Sequence, residues 1–208
     1  MPKGPAKESD TMPRPSTARG EATRRKLLKA AEREIGSKGF YQASVSSITR
    51  EAGVAQGTFY LYFNSKEDAL RELVRHMGRQ LRGALTRSIE SGTSRMQAER
   101  QGLAAFLRFV AGHQNLYRVV QESLFVDEAV YRNYYQDFAD AYSAALEHAQ
   151  GNGEVRSGDN EIRAWALMGL GHFLGLRFGL WDRNSPSEEV LDAAMDFIAH
   201  GIAPAQDV

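Results

Sequence analysis

The chain is expected to be all-α, and three observations point that way. Apolar residues recur at helical spacing in one segment after another, from Leu27-Leu28-Ala31-Ile35 to Val190-Ala194-Ile198-Ile202. Helix-start signals stand where those segments begin, as at Ser65-Lys66-Glu67-Asp68 and Ser185-Pro186-Ser187-Glu188. No stretch alternates apolar and polar residues in the way a half-buried strand would.

Residues 1–22 hold four of the six prolines, with Lys3, Lys7, Arg14 and Arg19 among small residues, and are expected to form a disordered basic arm. Such an arm reaches DNA in some helical readers, or serves as a plain leader. Thr23 is a plausible N-cap for the first helix, whose early turns carry Arg24, Arg25, Lys26 and Lys29. Gly36 and Gly39 end it. A second helix is expected from about Ser44–Ser46 to Ala52, burying Val45, Ile48 and Ala52, and Gly53 suits the positive φ of a tight exit. The third, about Gln56 to Phe63, turns Phe59 and Phe63 inward and leaves Gln56, Gly57, Thr58 and Leu61 outward. This second pair is rich in hydroxyl, amide and aromatic groups and nearly free of charge. A short helix of that kind held by a glycine turn against another is the pattern of a helix-turn-helix DNA reader.

Ser65 then caps a long helix whose stripe runs Leu70, Leu73, Val74, Met77, Leu81 and Leu85, to about Ile89. Further helical runs are expected at about 95–112, 114–124, 127–149, 160–181 and 186–202, with loops at Gly151-Asn152-Gly153 and from Asp182 to Ser185. The run Ala164–Trp181 is apolar on nearly every side, which marks a helix buried all round. Its length, its glycines, and His172 and Arg177 within it argue against a membrane span. Gly171, Gly175 and Gly179 recur every four residues, so another helix can come close along that stripe.

The formal net charge of the 208 residues is +0, yet it is unevenly shared. Residues 1–66 carry 12 Lys+Arg against 6 Asp+Glu, and residues 67–208 carry 14 against 20, with no Lys after Lys66. A basic module on an acidic body fits a protein that presents one end to nucleic acid, although two solvated surfaces would look the same. The absence of Cys excludes disulfides, thiolate metal sites and Cys nucleophiles. The five His residues form no zinc pattern, and neither a Gly-x-Ser-x-Gly elbow nor a P-loop occurs, so no enzyme activity, metal or cofactor is expected. The N-terminal stretch has no apolar core that would make it a signal peptide, and a cytoplasmic location follows by default.

The segment Thr23–Leu70 resembles the TetR family of transcriptional regulators. The resemblance rests on Gly39-Phe40, Ile48, Glu51-Ala52-Gly53-Val54, Gly57-Thr58-Phe59-Tyr60, Tyr62-Phe63 and Ser65-Lys66-Glu67. It implies a DNA-binding head at 23–66 and an effector-binding and dimerisation body at 67–208. It also implies a homodimer on a pseudo-palindromic double-stranded operator, usually as a repressor. Carried over position by position, it assigns DNA contact to Ser44, Val45, Ser46, Gln56, Gly57, Thr58, Tyr60, Tyr62 and Lys66. Gln56 can donate to and accept from an adenine edge, and Gly57 allows close backbone approach. Tyr60, Tyr62 and Lys66 suit phosphates. Relatives often have Ser or Thr where this chain has Val45 and Ala55, and Arg where it has Ser46. The operator is therefore not legible.

In such a body the last two helices form the dimer interface, here with Leu167, Leu174 and Phe178 facing Val190, Ala194, Ile198 and Ile202. Residues that combine aromatic surface with polar tips are candidates for an effector pocket: Phe106, Phe109, Tyr117, Gln121, Glu122, Tyr134, Tyr135, Phe138, Trp165, Met168, His172, Phe173 and Arg177. For most of them an ordinary core position is the competing reading. Arg177 calls for a partner, either an acid such as Glu122 or an anionic ligand. Asn115 through Tyr142 is also similar, diffusely, to acyl- or aryl-CoA-responsive members, which makes a small, largely apolar effector of that kind the expectation.

Overall fold

The computed structural model describes residues 17–182 and 187–202, and among these it contains nine α-helices and no strand. Helix α1 spans Ala18–Lys38, α2 Val45–Ala52, α3 Gln56–Phe59, α4 Lys66–Ser88 and α5 Arg95–Gly112. Then come α6 Gln114–Ser123, α7 Glu128–Gly151, α8 Asn160–Leu174 and α9 Glu188–Ile202. Helix α8 continues without interruption as a π-helical segment, Gly175–Trp181.

The first helix starts earlier than Thr23. Thr17 is its N-cap, accepting the Gly20 N–H at 3.1 Å, while the Thr23 hydroxyl donates to the Arg19 carbonyl inside the helix. The expected arm therefore loses its last residues to α1, and residues 1–16 lie outside the described part. So do Ser185 and Pro186 of the expected capping box; Ser187 still accepts the Val190 N–H at 3.3 Å. The third helix is shorter than the spacing of its phenylalanines predicts. After Phe59 the backbone tightens into turns, with Tyr62 N–H donating to the Phe59 carbonyl at 3.0 Å.

Local chemistry accounts for the head. Ser44 and Ser47 cap α2 reciprocally, each backbone N–H donating to the other's hydroxyl at 3.0 Å. Gly53 leaves α2 at φ 67°, a left-handed position that costs glycine nothing. Phe59 and Phe63, both buried, sit 5.3 Å apart between ring centroids and close the head over Leu27, Ile35, Ile48 and Leu70.

That apolar cluster does not stop at residue 66. It runs through Leu73, Val74 and Met77 of α4 to Leu116, Val119 and Val120 of α6, so head and body share one core. Burying a side chain of that size stabilises by about 1.5–3 kcal/mol. Helices α1 and α6 touch so closely that a Cβ on Gly36 would stand 2.6 Å from the Asn115 Cβ. A second cluster joins Leu103 and Leu107 of α5, Leu146 of α7, Ala164 of α8, and Leu191, Ala194, Ile198 and Ile202 of α9.

The glycine stripe of α8 has a partner within the chain. A Cβ on Gly175 would stand 3.0 Å from a Phe106 ring carbon, and one on Gly179 2.9 Å from a Val110 methyl. Helix α5 occupies that stripe. Ala194, Ile198 and Ile202, expected to face a second copy, are instead turned into the chain's own core.

Candidate nucleic-acid interface and ligand cavity

The expected DNA-contact residues divide by what already engages them. Ser46, Gln56, Gly57 and Tyr60 are exposed, as is Leu61 beside them. No atom lies within 4 Å of where a Gly57 Cβ would be, so the outer face of α3 is bare. Thr58 is half-buried, while Val45 and Tyr62 are half-buried and pack against the core. The Ser44 hydroxyl is held in the α2 cap.

Lys66 has a place inside the head. Its ammonium donates to the carbonyls of Phe40 and Ala43, both at 2.7 Å, and lies 4.1 Å from the centroid of the Phe40 ring. It thus ties the start of α4 to the α1–α2 connection. Of the early basic residues in α1, Arg24 is paired with Glu72 at 3.2 Å, whereas Arg25, Lys26 and Lys29 are exposed.

In the body, helices α4 to α9 enclose a cavity of about 400 Å³. Of the thirteen residues expected at an effector pocket, Phe106, Tyr117, Tyr134, Tyr135, Phe138, Met168 and His172 line it. The other six do not. Phe109 is buried in the core and stacks on His113 with centroids 4.1 Å apart. Trp165 and Phe173 are exposed, and Gln121 lies outside the wall. Arg177 is at the surface, ion-paired with Asp182 and resting over the Phe178 ring. Glu122 faces the head, where it accepts the Phe40 N–H at 2.9 Å. Arg177 and Glu122 therefore have separate partners.

The cavity has two polar ends and apolar sides. At the end toward the head, the Tyr117 hydroxyl and His172 Nδ1 are 2.7 Å apart, with Tyr134 and Tyr135 beside them. Burial pushes the phenols of Tyr117, Tyr134 and Tyr135 up and holds His172 below the usual imidazole range. All four groups are accordingly neutral at pH 7, able to hydrogen-bond without carrying charge. At the far end Glu99, itself buried, accepts from Arg95 Nε at 2.8 Å and from the Tyr142 hydroxyl. Both carboxylate oxygens are engaged, so this buried charge is compensated.

Sequence spacing could not bring Glu99 to Tyr142, which stand on antiparallel helices. Arg82, Thr86, Arg95 and Glu99 are polar lining residues that a search for aromatic residues with polar tips passes over, and Tyr142 is a tyrosine of that kind outside the expected set. The only local signal was the Arg95–Glu99 spacing of four within one helix.

Polar contacts link the cavity's helices to the head and to one another. Helix α6 bears Tyr117 on the cavity side and Glu122 on the head side. Arg71 of α4 donates to Asp127, the N-cap of α7, at 2.6 Å. Burial would raise the Asp127 carboxyl, but the Arg71 hydrogen bond and charge together with the backbone N–H donors of α7 outweigh it and keep the group below the usual carboxylate range. No helix among the described residues is long and apolar enough to cross a membrane.

Residues 27–73 match the family model described as "Bacterial regulatory proteins, tetR family". A Bacillus subtilis protein named "Uncharacterized HTH-type transcriptional regulator YdgC" is 39% identical over 90 residues, covering 42% of this chain and 46% of its own length. The "Fatty acid metabolism regulator protein" of the same organism is 33% identical over 98 residues, 47% of this chain and 50% of that one. The chain thus spans about half the length of these curated relatives. Similar folds extend further. A tetR-family transcription regulator from Shewanella superposes with a TM-score of 0.75 at 22% identity, covering 88% of this chain and 99% of that chain. The fatty acid degradation regulator FadR from Bacillus halodurans does so with a TM-score of 0.75 at 21% identity, covering 85% and 94%.

Proposed function

The chain belongs to the TetR family of bacterial transcriptional regulators, and on that premise we propose that it is a dimeric repressor released from DNA by a small, largely apolar effector. The observation that carries this reading is the continuous core joining a bare, charge-poor α3 to helices that wall a cavity of about 400 Å³. Ser46, Gln56, Gly57 and Tyr60 supply the reading face, Gln56 by paired hydrogen bonds to a base edge and Tyr60 by its hydroxyl to phosphate. Exposed Arg25, Lys26 and Lys29 add the sequence-independent attraction.

The proposed dimer face lies on the expected pair of helices but uses other side chains. Ile162, Trp165, Phe173 and Trp181 on α8 and its π-helical extension are exposed, as is Phe197 on α9. Soluble monomers seldom leave so many large apolar side chains on two neighbouring helices, and a second copy would bury them. Two-fold pairing sets two α3 helices on matching half-sites.

A cavity of this size suits a drug-sized or smaller ligand. It would hold the acyl or aryl part of a CoA ester rather than the whole molecule, and two similar proteins are named for fatty acid regulation. The effector shifts DNA occupancy only by its differential affinity for the two states.

Binding-site selection from random DNA, followed by footprinting with and without candidate effectors, tests the reading. The expected result is an inverted-repeat site bound at least a thousandfold tighter than random DNA, on the order of specific regulators generally. Equal affinity for selected and random DNA would sink it, as would a monomer by sedimentation at micromolar concentration.

A further inference from the structure

The charged residues of the cavity wall are unequal. Arg95, Glu99 and Arg82 all line it, but Arg95 is taken up by the buried Glu99. Arg82 is about one-third exposed, lies 5.3 Å from the centroid of the Phe138 ring, and meets its acid Asp137 through one contact of 3.4 Å. Asp137 is itself largely exposed, so water and salt screen that pair and it contributes little. With His172 neutral, the most weakly compensated charge on the wall is positive and belongs to Arg82.

Its position matters as much as its sign. The lining residues that also reach solvent are Thr86, Ile89 and Ala141, on or just beyond α4 and on α7, and Arg82 stands on the same seam. The cavity therefore opens between α4 and α7, with Arg82 at the mouth. Inward from it the walls carry Leu81, Leu85, Leu103, Phe106 and Phe138. On α7 the lining runs from Tyr134 to Ala145, roughly 16 Å of helix at about 1.5 Å per residue, so the space is elongated.

We propose that the effector carries an anionic group at one end of an apolar tail, the tail lying along the cavity and the anion on Arg82 at its mouth. An anion deeper inside would lose its hydration and meet only neutral hydrogen-bonding groups or an arginine already paired. At the mouth it keeps part of its water and displaces a weak, exposed partner from a guanidinium that can bind a carboxylate or phosphate with two parallel hydrogen bonds. A neutral ligand of the same shape would gain nothing from Arg82. This proposal rests on the reading of the body as the effector-binding part.

Calorimetric titration of the full chain with dodecanoate, methyl dodecanoate and dodecanoyl-CoA tests it. An anionic probe is expected to bind on the order of tenfold tighter than the ester, about 1.4 kcal/mol. Arg82→Gln should remove that advantage while leaving ester binding in place, and Arg82→Lys should retain part of it. Loss of dodecanoate binding in Arg82→Gln assigns the anion to a carboxylate; loss confined to dodecanoyl-CoA assigns it to the nucleotide phosphates. Either result supports the proposal.

Equal binding of all three probes by the wild type, or binding of none, overturns it, as does Arg82→Gln weakening ester and anion alike. Should Arg82→Gln fail to fold, the wild-type comparison and Arg82→Lys still decide. Sequence-selective DNA binding by the wild type without any probe is scored separately, so the regulatory reading can stand while this proposal falls.

Discussion

The Glu122 carboxylate of α6 accepts the backbone N–H of Phe40 at 2.9 Å, across the seam between head and body. Phe40 is also the residue whose carbonyl and ring hold Lys66, so the acid and the ammonium grip the same turn from opposite elements. Gly39, at φ 83°, lets the chain pass beside the carboxylate.

Removing the acceptor leaves a half-buried N–H unpaired. Glu122→Ala should cost about 1–3 kcal/mol, while Glu122→Gln, which keeps an acceptor oxygen, should cost less. Chemical denaturation of the two variants measures the order. Equal midpoints for Ala and wild type would show that the contact contributes nothing.

Gly57 separates stability from DNA reading. Its Cβ position is open, so Gly57→Ala should leave folding unchanged or stabilise it by up to about 1 kcal/mol through helix propensity. On the proposed docking the added methyl blocks close approach to base edges, and operator affinity should fall. Thermal melts alongside fluorescence anisotropy with the selected operator give both quantities. Undiminished affinity would move the reading face away from this end of α3.

The head was largely legible in the sequence because its determinants are local. The Ser44 and Ser65 caps, the Gly53 exit and the inward pair Phe59 and Phe63 all lie within a few residues of what they control. The cavity was about half legible. Tyr134, Tyr135 and Phe138 share one side of α7 and could be picked by period, but Glu99 and Tyr142 meet only through tertiary packing. Arg177 misled for a different reason. The outer face of that run is itself apolar, with Ile162, Trp165 and Phe173 exposed, so composition suggests burial where Arg177, four residues after Phe173, stands at the surface beside Asp182. Lys66 looked free because nothing in its neighbourhood along the chain reveals two carbonyls more than twenty residues away.

The close α5–α8 approach makes Gly179 sensitive to size. In Gly179→Ala the new methyl would meet Val110 at 2.9 Å and the Ala111 backbone nitrogen at 3.3 Å, a clash that backbone shifts must relieve. Overpacking of this kind costs about 1–3 kcal/mol. Gly169→Ala, with nothing within 4 Å, is the control and should not destabilise. Urea midpoints of the two variants check the difference, and equal midpoints would refute the packing account.

His172 gives stability a pH dependence of definite sign. Burial lowers its folded-state pKa below the ordinary value of 6.5, so the unfolded chain takes up a proton first as pH falls. Its contribution is complete above about pH 6.5 and declines below that, until the folded-state value is passed. His76 is lowered too, by burial and by Arg79, and acts in the same direction. From about pH 7.5 to about pH 5.5 the wild-type Tm should therefore drop more than that of His172→Asn, with the remainder owed in part to His76. Parallel Tm profiles would remove His172 from the account.

The grip on Lys66 has a consequence for how this protein responds to ionic strength. Each phosphate neutralised by a protein cation expels condensed counterions, and the slope of log affinity against log salt counts those neutralisations at about 0.9 apiece. Lys66 already has two carbonyls and a ring face as partners. Those partners are neutral, so its charge persists but is pinned in place, whereas the exposed Arg25, Lys26 and Lys29 are free to follow a phosphate on the proposed docking. The last lysine of the chain is thus a positive charge pinned at the start of α4, set apart from the solvated cations of α1.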